Sequence, residues 1–438
     1  MDSTDGAPGW DAALSRNHTA AASPGSPVRA GYTATVPPRS RDPFRPGEGR
    51  LPPHLAGRER EQAIFRKFLD DLRAGDPAPS SVVLYGPRGN GKTALLRWLS
   101  AEVAALNERR EAEATAIETL WFTPGEIATV EGLVAEVASR SWLEKLGVTK
   151  LGLPGMVEVT RQAGGSAPAR MVAQAFSERA REKPWILLLD EAHNLDGEVG
   201  NALLNAAQKV GGEAPFLLVL AGTPDLRRRL RRMSASFWPR ARQMPIGRLS
   251  AASARDAVRI PLRQDQIGIA QDALDQIVVE SRRYPFFLQL WGSSVWTVGN
   301  ARRGPRRTVG LADVRSHTPE FVQTANLYYL ERYEELTERR LLAAAWAVAD
   351  AFGAGPAPRG AAESLPEEGM EAAVARGLGS DGAERVREVT ESLFHLGYIW
   401  RSGGEPDWEA GIPSLMDYVW ERVPSSRRPV RPSAAARA

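Results

Sequence analysis

Over the first 250 residues, short apolar runs alternate with amphipathic stretches, and this alternation sets the fold class. The runs lie at residues 81–85, 117–122, 185–189, 216–221 and 244–249. Each is brief and bounded by segments of helical period, as expected of parallel strands buried on both faces. Between them, residues 61–72 place Ile64, Phe65, Phe68, Leu69 and Leu72 at helical spacing, and residues 93–106 return to the same period. The pattern predicts an α/β core with helices on both faces of a parallel sheet, over residues 51–250.

After residue 250 the helical period takes over. Residues 251–260, 270–281 and 286–298 read as helices of a lid spanning residues 251–325. Residues 335–351, 367–375 and 384–396 are again helical, followed by a strand at 398–401, a turn at 402–406 and a returning strand at 408–412. Helices followed by a strand, turn and strand predict a winged helix over residues 326–424. Residues 1–50 and 425–438 are rich in Pro, Ser, Ala and Arg without apolar period, and are expected to be disordered tails. A weakly alternating segment at 147–159, with Gly152, Pro154 and Gly155, reads as an inserted hairpin or loop.

Composition narrows this picture. With 438 residues, 43% of them hydrophobic, the chain can fill two or three domain cores. It has no cysteine, which excludes disulfides, thiolate zinc sites and cysteine nucleophiles and suits a reducing compartment. The start lacks a basic region followed by an apolar one, and no apolar run approaches the ~20 residues of a membrane helix. The expectation is a cytoplasmic protein with no membrane partner. A net charge of +3 permits nucleic acid without implying it. The arginines cluster at Arg227, Arg228, Arg229, Arg231 and Arg232, and at Arg302, Arg303, Arg306 and Arg307; they suit phosphate contacts or plain solvated helix faces.

The chemistry is carried by Gly86-Pro87-Arg88-Gly89-Asn90-Gly91-Lys92-Thr93, which fits GxxxxGK[ST] between a buried strand and a helix. Glycines let backbone N–H groups curl around phosphates at a helix N-terminus, Lys92 reaches the β and γ oxygens, and the Thr93 hydroxyl is a ligand for Mg²⁺. A nucleoside triphosphate, ATP, with Mg²⁺ is therefore expected. The strand at 185–189 ends in Asp190-Glu191: Asp190 on the metal side, Glu191 placed to orient and polarise the attacking water. His193 completes an Asp-Glu-Ala-His string, but a helicase of that name has two tandem strand-rich domains, and here the strands end near residue 250. Thr223, after the strand at 216–221, is either a γ-phosphate sensor or a turn residue. Arg240 is either a surface arginine or a finger completing a neighbouring subunit's site.

Taken in order along residues 50–424, these features resemble the AAA+ ATPases of the origin-recognition and Cdc-six-like type, and the related STAND signalling ATPases. Leu55-Ala56-Gly57-Arg58-Glu59-Arg60-Glu61 is similar to the family's GRExE box, and the resemblance implies that Gly57 and Arg58 lie beside the adenine. It also implies Thr223 as sensor 1, Arg240 as the finger, and a helical lid followed by a winged helix. Where origin-type members carry a lid arginine, Arg283-Tyr284-Pro285 resembles the GxP motif of STAND proteins, with Arg283 in place of the glycine. Pro285 is then the lid contact, with Arg282 and Arg283 as further candidates. The functions expected are an ATPase whose nucleotide state controls a winged helix in DNA-associated work, or a STAND-like switch that assembles with protein partners or copies of itself. The candidate recognition helix carries Glu388 and Glu391 beside Arg385 and Arg387, a weak phosphate footprint.

Overall fold

The computed structural model describes residues 41–424 apart from 48, 80, 110–114, 140–166, 303–306, 356–361 and 403–404. Residues 1–40, the 147–159 segment, the glycines of the 402–406 turn, Arg303, Arg306 and the tail from 425 therefore lie outside the described residues.

Through the core the elements run α1 (Glu59–Arg73), β1 (Val82–Tyr85), α2 (Lys92–Glu108), β2 (Glu118–Phe122), α3 (Val130–Val137), α4 (Ala167–Glu182), β3 (Trp185–Leu189), α5 (Gly197–Val210), β4 (Phe216–Gly222), α6 (Leu226–Met233), the single turn α7 (Phe237–Arg240) and β5 (Arg242–Pro245). The five strands form one sheet in the order β2-β3-β4-β1-β5, every pairing parallel. β1, β3 and β4 are buried along their whole length because successive side chains face opposite layers and both layers are covered by helices. Val82, Leu84, Ile186, Leu188, Leu217 and Val219 pack with Phe65 and Leu69 of α1 and Leu95 and Leu99 of α2. Val83, Leu187, Leu189, Leu218 and Leu220 pack with Leu133, Phe176 and Leu203 of α3, α4 and α5 on the other side. The last strand is shorter than expected: it covers Arg242–Pro245, and residues 246–249 leave the sheet as a loop.

Next come α8 (Ala251–Gln264), β6 (Gly268–Ile269), α9 (Gln271–Glu280), α10 (Pro285–Ala301), β7 (Thr308–Val309) and α11 (Leu311–Glu338), then α12 (Leu342–Ala351), β8 (Ser364–Leu365), α13 (Glu367–Leu378), α14 (Val386–His395), β9 (Ile399–Trp400), β10 (Trp408–Ala410) and α15 (Pro413–Arg422). The helix expected at 335–351 is two helices, broken where Arg340 takes φ +59°. The 28-residue α11 runs straight through the junction drawn at residue 325, so lid and C-terminal region share one continuous rod. The C-terminal region packs α12, α13 and α14 with an antiparallel sheet in the order β8-β10-β9.

Residues 41–50 correct the expectation of a tail reaching residue 50. Phe44 is buried in a notch at Gly292 of α10, where a Cβ would come within 2.2 Å of its ring. Asp42 accepts from the Ser293 hydroxyl and the Phe44 N–H, and Gln289 Oε1 accepts from the Arg45 N–H at 3.4 Å. A buried Phe contributes about 1.5–3 kcal/mol, which with these hydrogen bonds offsets part of the entropy of ordering a segment whose composition alone reads as disorder.

Candidate nucleotide site

Register brings the candidate residues to one edge of the sheet. Tyr85 pairs with Gly222 and Leu189 with Leu220, so Gly86, Asp190 and Thr223 all emerge from the carboxyl ends of neighbouring strands. In an open α/β sheet this is the edge where ligands bind.

The loop after β1 needs its glycines. Gly89 and Gly91 have φ of +83° and +85°, which side-chain-bearing residues avoid, and a Cβ on Gly86 would lie 2.1 Å from the Ile246 carbonyl oxygen. Lys92 is buried at the start of α2; its Nζ donates to the carbonyls of Gly86 at 2.8 Å and Pro87 at 2.9 Å, and burial pulls its ammonium down to about 8. The Thr93 hydroxyl donates to Asp190 Oδ2 at 2.7 Å, and Asp190 Oδ1 accepts the Glu191 N–H at 2.9 Å. Burial raises the Asp190 carboxyl above its ordinary value, opposed by those two hydrogen bonds. Glu191 sits in the left-handed region at φ +50°, a conformation costing of order 1–3 kcal/mol that recurs at functional sites.

A cavity of about 480 Å³ opens over this loop, lined by Arg88 to Thr93, by Glu191, by Ala56 and Arg58, by Pro285 and Phe286 of α10 and by Tyr328 of α11. Arg45, Gly47, Gly49 and Arg50 add a wall that sequence reasoning missed, because it assigned that stretch to the tail. The donor set fits MgATP: left-handed glycines expose amides, a buried ammonium faces the loop, and one hydroxyl and one carboxylate stand 2.7 Å apart. Mg²⁺ takes few protein ligands and completes its shell with phosphate oxygens and water, which one hydroxyl and one carboxylate would suit.

The remaining candidates divide. Pro285 lines the cavity and begins α10, whose Phe286 N–H donates to the Gly89 carbonyl at 3.2 Å. The hydroxyls of Tyr284 and Tyr328 both donate to the Arg88 carbonyl. Arg58 is spent on backbone: its guanidinium donates to the carbonyls of Gly57, Asn90 and Gly247, tying helix α1 to the loop. Gly57 supplies φ +67° where a Cβ would meet Ser253 at 2.8 Å.

Arg282 and Arg283 do not reach the cavity. They pair with Asp417 at 3.1 Å and Glu363 at 3.2 Å in the C-terminal region. Arg283 nevertheless keeps the glycine-like φ of +62° at its motif position. Arg240 stands exposed beside Ser81 and Phe216, where β1 and β4 begin, at the end of the sheet opposite the phosphate loop.

His193, passed over in the helicase comparison, connects two candidates. Its Nδ1 accepts the Thr223 N–H at 3.4 Å, which leaves the ring proton on Nε2, 3.4 Å from Glu191 Oε2. Burial pushes its pKa down to about 4, so the ring is neutral. The Asp-Glu-Ala-His string held the signal; its pairing with Thr223 depends on strand order, which the string does not carry.

Comparison with known proteins agrees with this geometry. Residues 54–220 match the family model described as the AAA ATPase domain. A curated relative, the zinc import ATP-binding protein ZnuC 2 of Hahella chejuensis, is 31% identical over 137 residues, 29% of this chain. The chain spans about half, 54%, of that relative's length. Among solved structures, a Walker-type ATPase of Pyrococcus abyssi has a TM-score of 0.53 at 16% identity, covering 83% of this chain and 95% of its own. The Aeropyrum pernix ORC2 protein, solved in ADPNP–ADP complexes, has a TM-score of 0.51 at 14% identity, covering 85% and 96%. At these identities the likeness is one of fold. Sheet order and phosphate loop give the chain a P-loop NTPase fold of the AAA+ kind, and its residues 54–220 are similar to the AAA ATPase domain.

Proposed function

We propose that this protein hydrolyses ATP with Mg²⁺ and uses the nucleotide state to set the position of a C-terminal winged helix in DNA-associated work. The observation that carries the enzymatic part is the Thr93–Asp190 hydrogen bond of 2.7 Å at the strand edge, with Glu191 on the cavity wall beside it. MgATP supplies a transferable phosphoryl group whose charge the metal shares. Lys92 turns from the Gly86 and Pro87 carbonyls to the phosphate oxygens. Thr93 and Asp190 would hold the metal shell. Glu191 orients the attacking water, with His193 behind it and Thr223 beyond, so that sensing and water activation share one chain of contacts. Arg240, far from its own phosphate loop, is available to a neighbouring subunit. Mixing Arg240→Ala with Glu191→Gln subunits restores turnover on this reading; an intact oligomer without restoration removes Arg240 from the role.

The order α12, β8, α13, α14, β9, β10 supports the winged-helix reading, and Gly397, Trp400 and Glu409 supply its contacts with the core near Pro87, Gly247 and Arg248. The ion pairs Arg282–Asp417 and Arg283–Glu363 favour a second reading, a STAND-like switch in which the lid clasps the C-terminal region until ATP releases it for a protein partner. Both readings share one test. Glu191→Gln keeps ATP binding by calorimetry and lowers phosphate release about 10²–10⁴-fold, whereas Lys92→Ala loses binding itself. Unchanged phosphate release in Glu191→Gln rejects hydrolysis at this site.

A further inference from the structure

A second concavity, of about 910 Å³, lies between α6 and the C-terminal region, remote from the P-loop cavity in its lining residues. Its core-side wall is α6, in which Leu226 and Leu230, one turn apart, are buried and so turn Arg227, Arg228, Arg231 and Arg232 outward. These four are not equally engaged. Arg228 pairs with Asp225 at 2.7 Å, and Arg227 lies over the Trp238 ring at 5.9 Å. Arg231 and Arg232 are exposed and take no carboxylate partner among the described residues.

The opposite wall carries glutamates, and their engagement matters. Glu367 is bonded to Arg401, and Glu391 faces Arg387 at 3.6 Å, so two of the four carboxylates are neutralised locally. With Arg228 held by Asp225, Glu371 and Glu405 remain to balance Arg227, Arg231 and Arg232. The cleft is therefore basic on one side and mixed on the other. Arginine forks match phosphate oxygens bidentately, and guanidiniums four residues apart on a helix stand about 6 Å apart, close to neighbouring phosphates on an extended strand. A mixed opposite wall with free carboxylates can accept base amino groups.

We infer that this cleft binds the phosphodiester backbone of a single-stranded nucleic acid, with α6 rather than the outer face of α14 as its main phosphate surface. The inference rests on the nucleic-acid reading above and relocates its contact. On α14, Arg387, which itself lines the cleft, is held by Glu391, and Arg385, just before the helix and outside the cleft, lies 3.8 Å from Glu388. α6, by contrast, begins directly after the Thr223-Pro224-Asp225 turn, and Asp225 also lies 3.7 Å from His395 of the C-terminal region. Both walls thus meet at the residue two positions beyond Thr223, whose N–H faces His193.

The test uses the full chain and a fluorescein-labelled thymidine oligonucleotide read by anisotropy. Arg231→Gln with Arg232→Gln, both exposed changes, lowers affinity at least tenfold at about 50 mM salt and reduces the log–log salt slope by about 1.4, at ~0.7 per lost contact on single strands. Melting temperature and ATP affinity stay at wild-type values, and Arg385→Glu, outside the cleft, changes affinity less than twofold. If Arg385→Glu weakens binding and the α6 variant does not, the inference falls while the DNA-associated reading stands. If the wild type binds neither strand nor duplex, both fall. Displacement of the oligonucleotide by polyglutamate of equal charge as readily as by unlabelled strand would assign the cleft to acidic protein segments and also overturn the inference.

Discussion

The two concavities present positive charge by different means. Over the phosphate loop, positive character comes from backbone amides, a helix N-terminus and one buried ammonium, held by glycines at φ +83° and +85° and by Thr93 on Asp190. At α6 it comes from long, exposed side chains. The first arrangement is preorganised and screened from solvent, so its electrostatics are strong and depend little on salt; the second is adaptable and lies open to counterions. A chain with both can bind one phosphate ligand tightly and another in proportion to ionic conditions, with Thr223 and Asp225 between them.

The largest effect expected is at the wall the nucleotide cavity borrows from the N-terminal segment. Phe44→Ala empties the notch at Gly292 and costs about 3–5 kcal/mol in denaturant unfolding, with weaker ATP binding as residues 45–50 detach. A loss below about 1 kcal/mol would mean that this segment does not close the cavity. Next is salt: raising it from about 50 to 200 mM lowers oligonucleotide affinity tenfold or more but changes ATP affinity by less than about threefold, and equal sensitivity would erase the contrast. Smaller again is Tyr328→Phe, which removes one of two hydroxyls on the Arg88 carbonyl and weakens ATP binding by about 1 kcal/mol, roughly fivefold, in calorimetry. The smallest is a pH effect. The folded His193 pKa of about 4 lies below its ordinary 6.5, so its contribution is complete above pH 6.5 and is lost as pH falls towards 4. Melting temperature of His193→Gln should therefore fall less steeply than wild type across that window.

Much of the nucleotide site was legible because its signals are local. GxxxxGK[ST] must sit between strand and helix to work, and the carboxylate pair must end a buried strand. The strands at 185–189 and 216–221 were read correctly because parallel strands buried on both faces are continuous apolar runs. The misses are non-local. α11 contains Pro319 and has no broad apolar stripe, yet it delivers Tyr328 and Glu331 to Arg88. Phe44 looks like an isolated aromatic in a Pro/Gly/Arg stretch until Gly292, nearly 250 residues away, provides its notch. Arg282 and Arg283 occupy the lid motif by spacing, but their left-handed backbone turns them to Asp417 and Glu363, a direction that sequence does not encode. The arginine cleft was visible only as a charge cluster, since its second wall comes from residues 367–408.

The central claim is that nucleotide on the phosphate loop sets the position of the C-terminal region. The chain has no cysteine, so paired spin labels can be introduced cleanly at the exposed positions Arg97 on α2 and Glu388 on α14, in the Glu191→Gln background that retains ATP. Electron–electron distance measurement should give one distribution without nucleotide and a shifted one with MgATP, and no shift when Lys92→Ala is added. Superimposable distributions with and without MgATP, while calorimetry reports the nucleotide bound, would contradict the account.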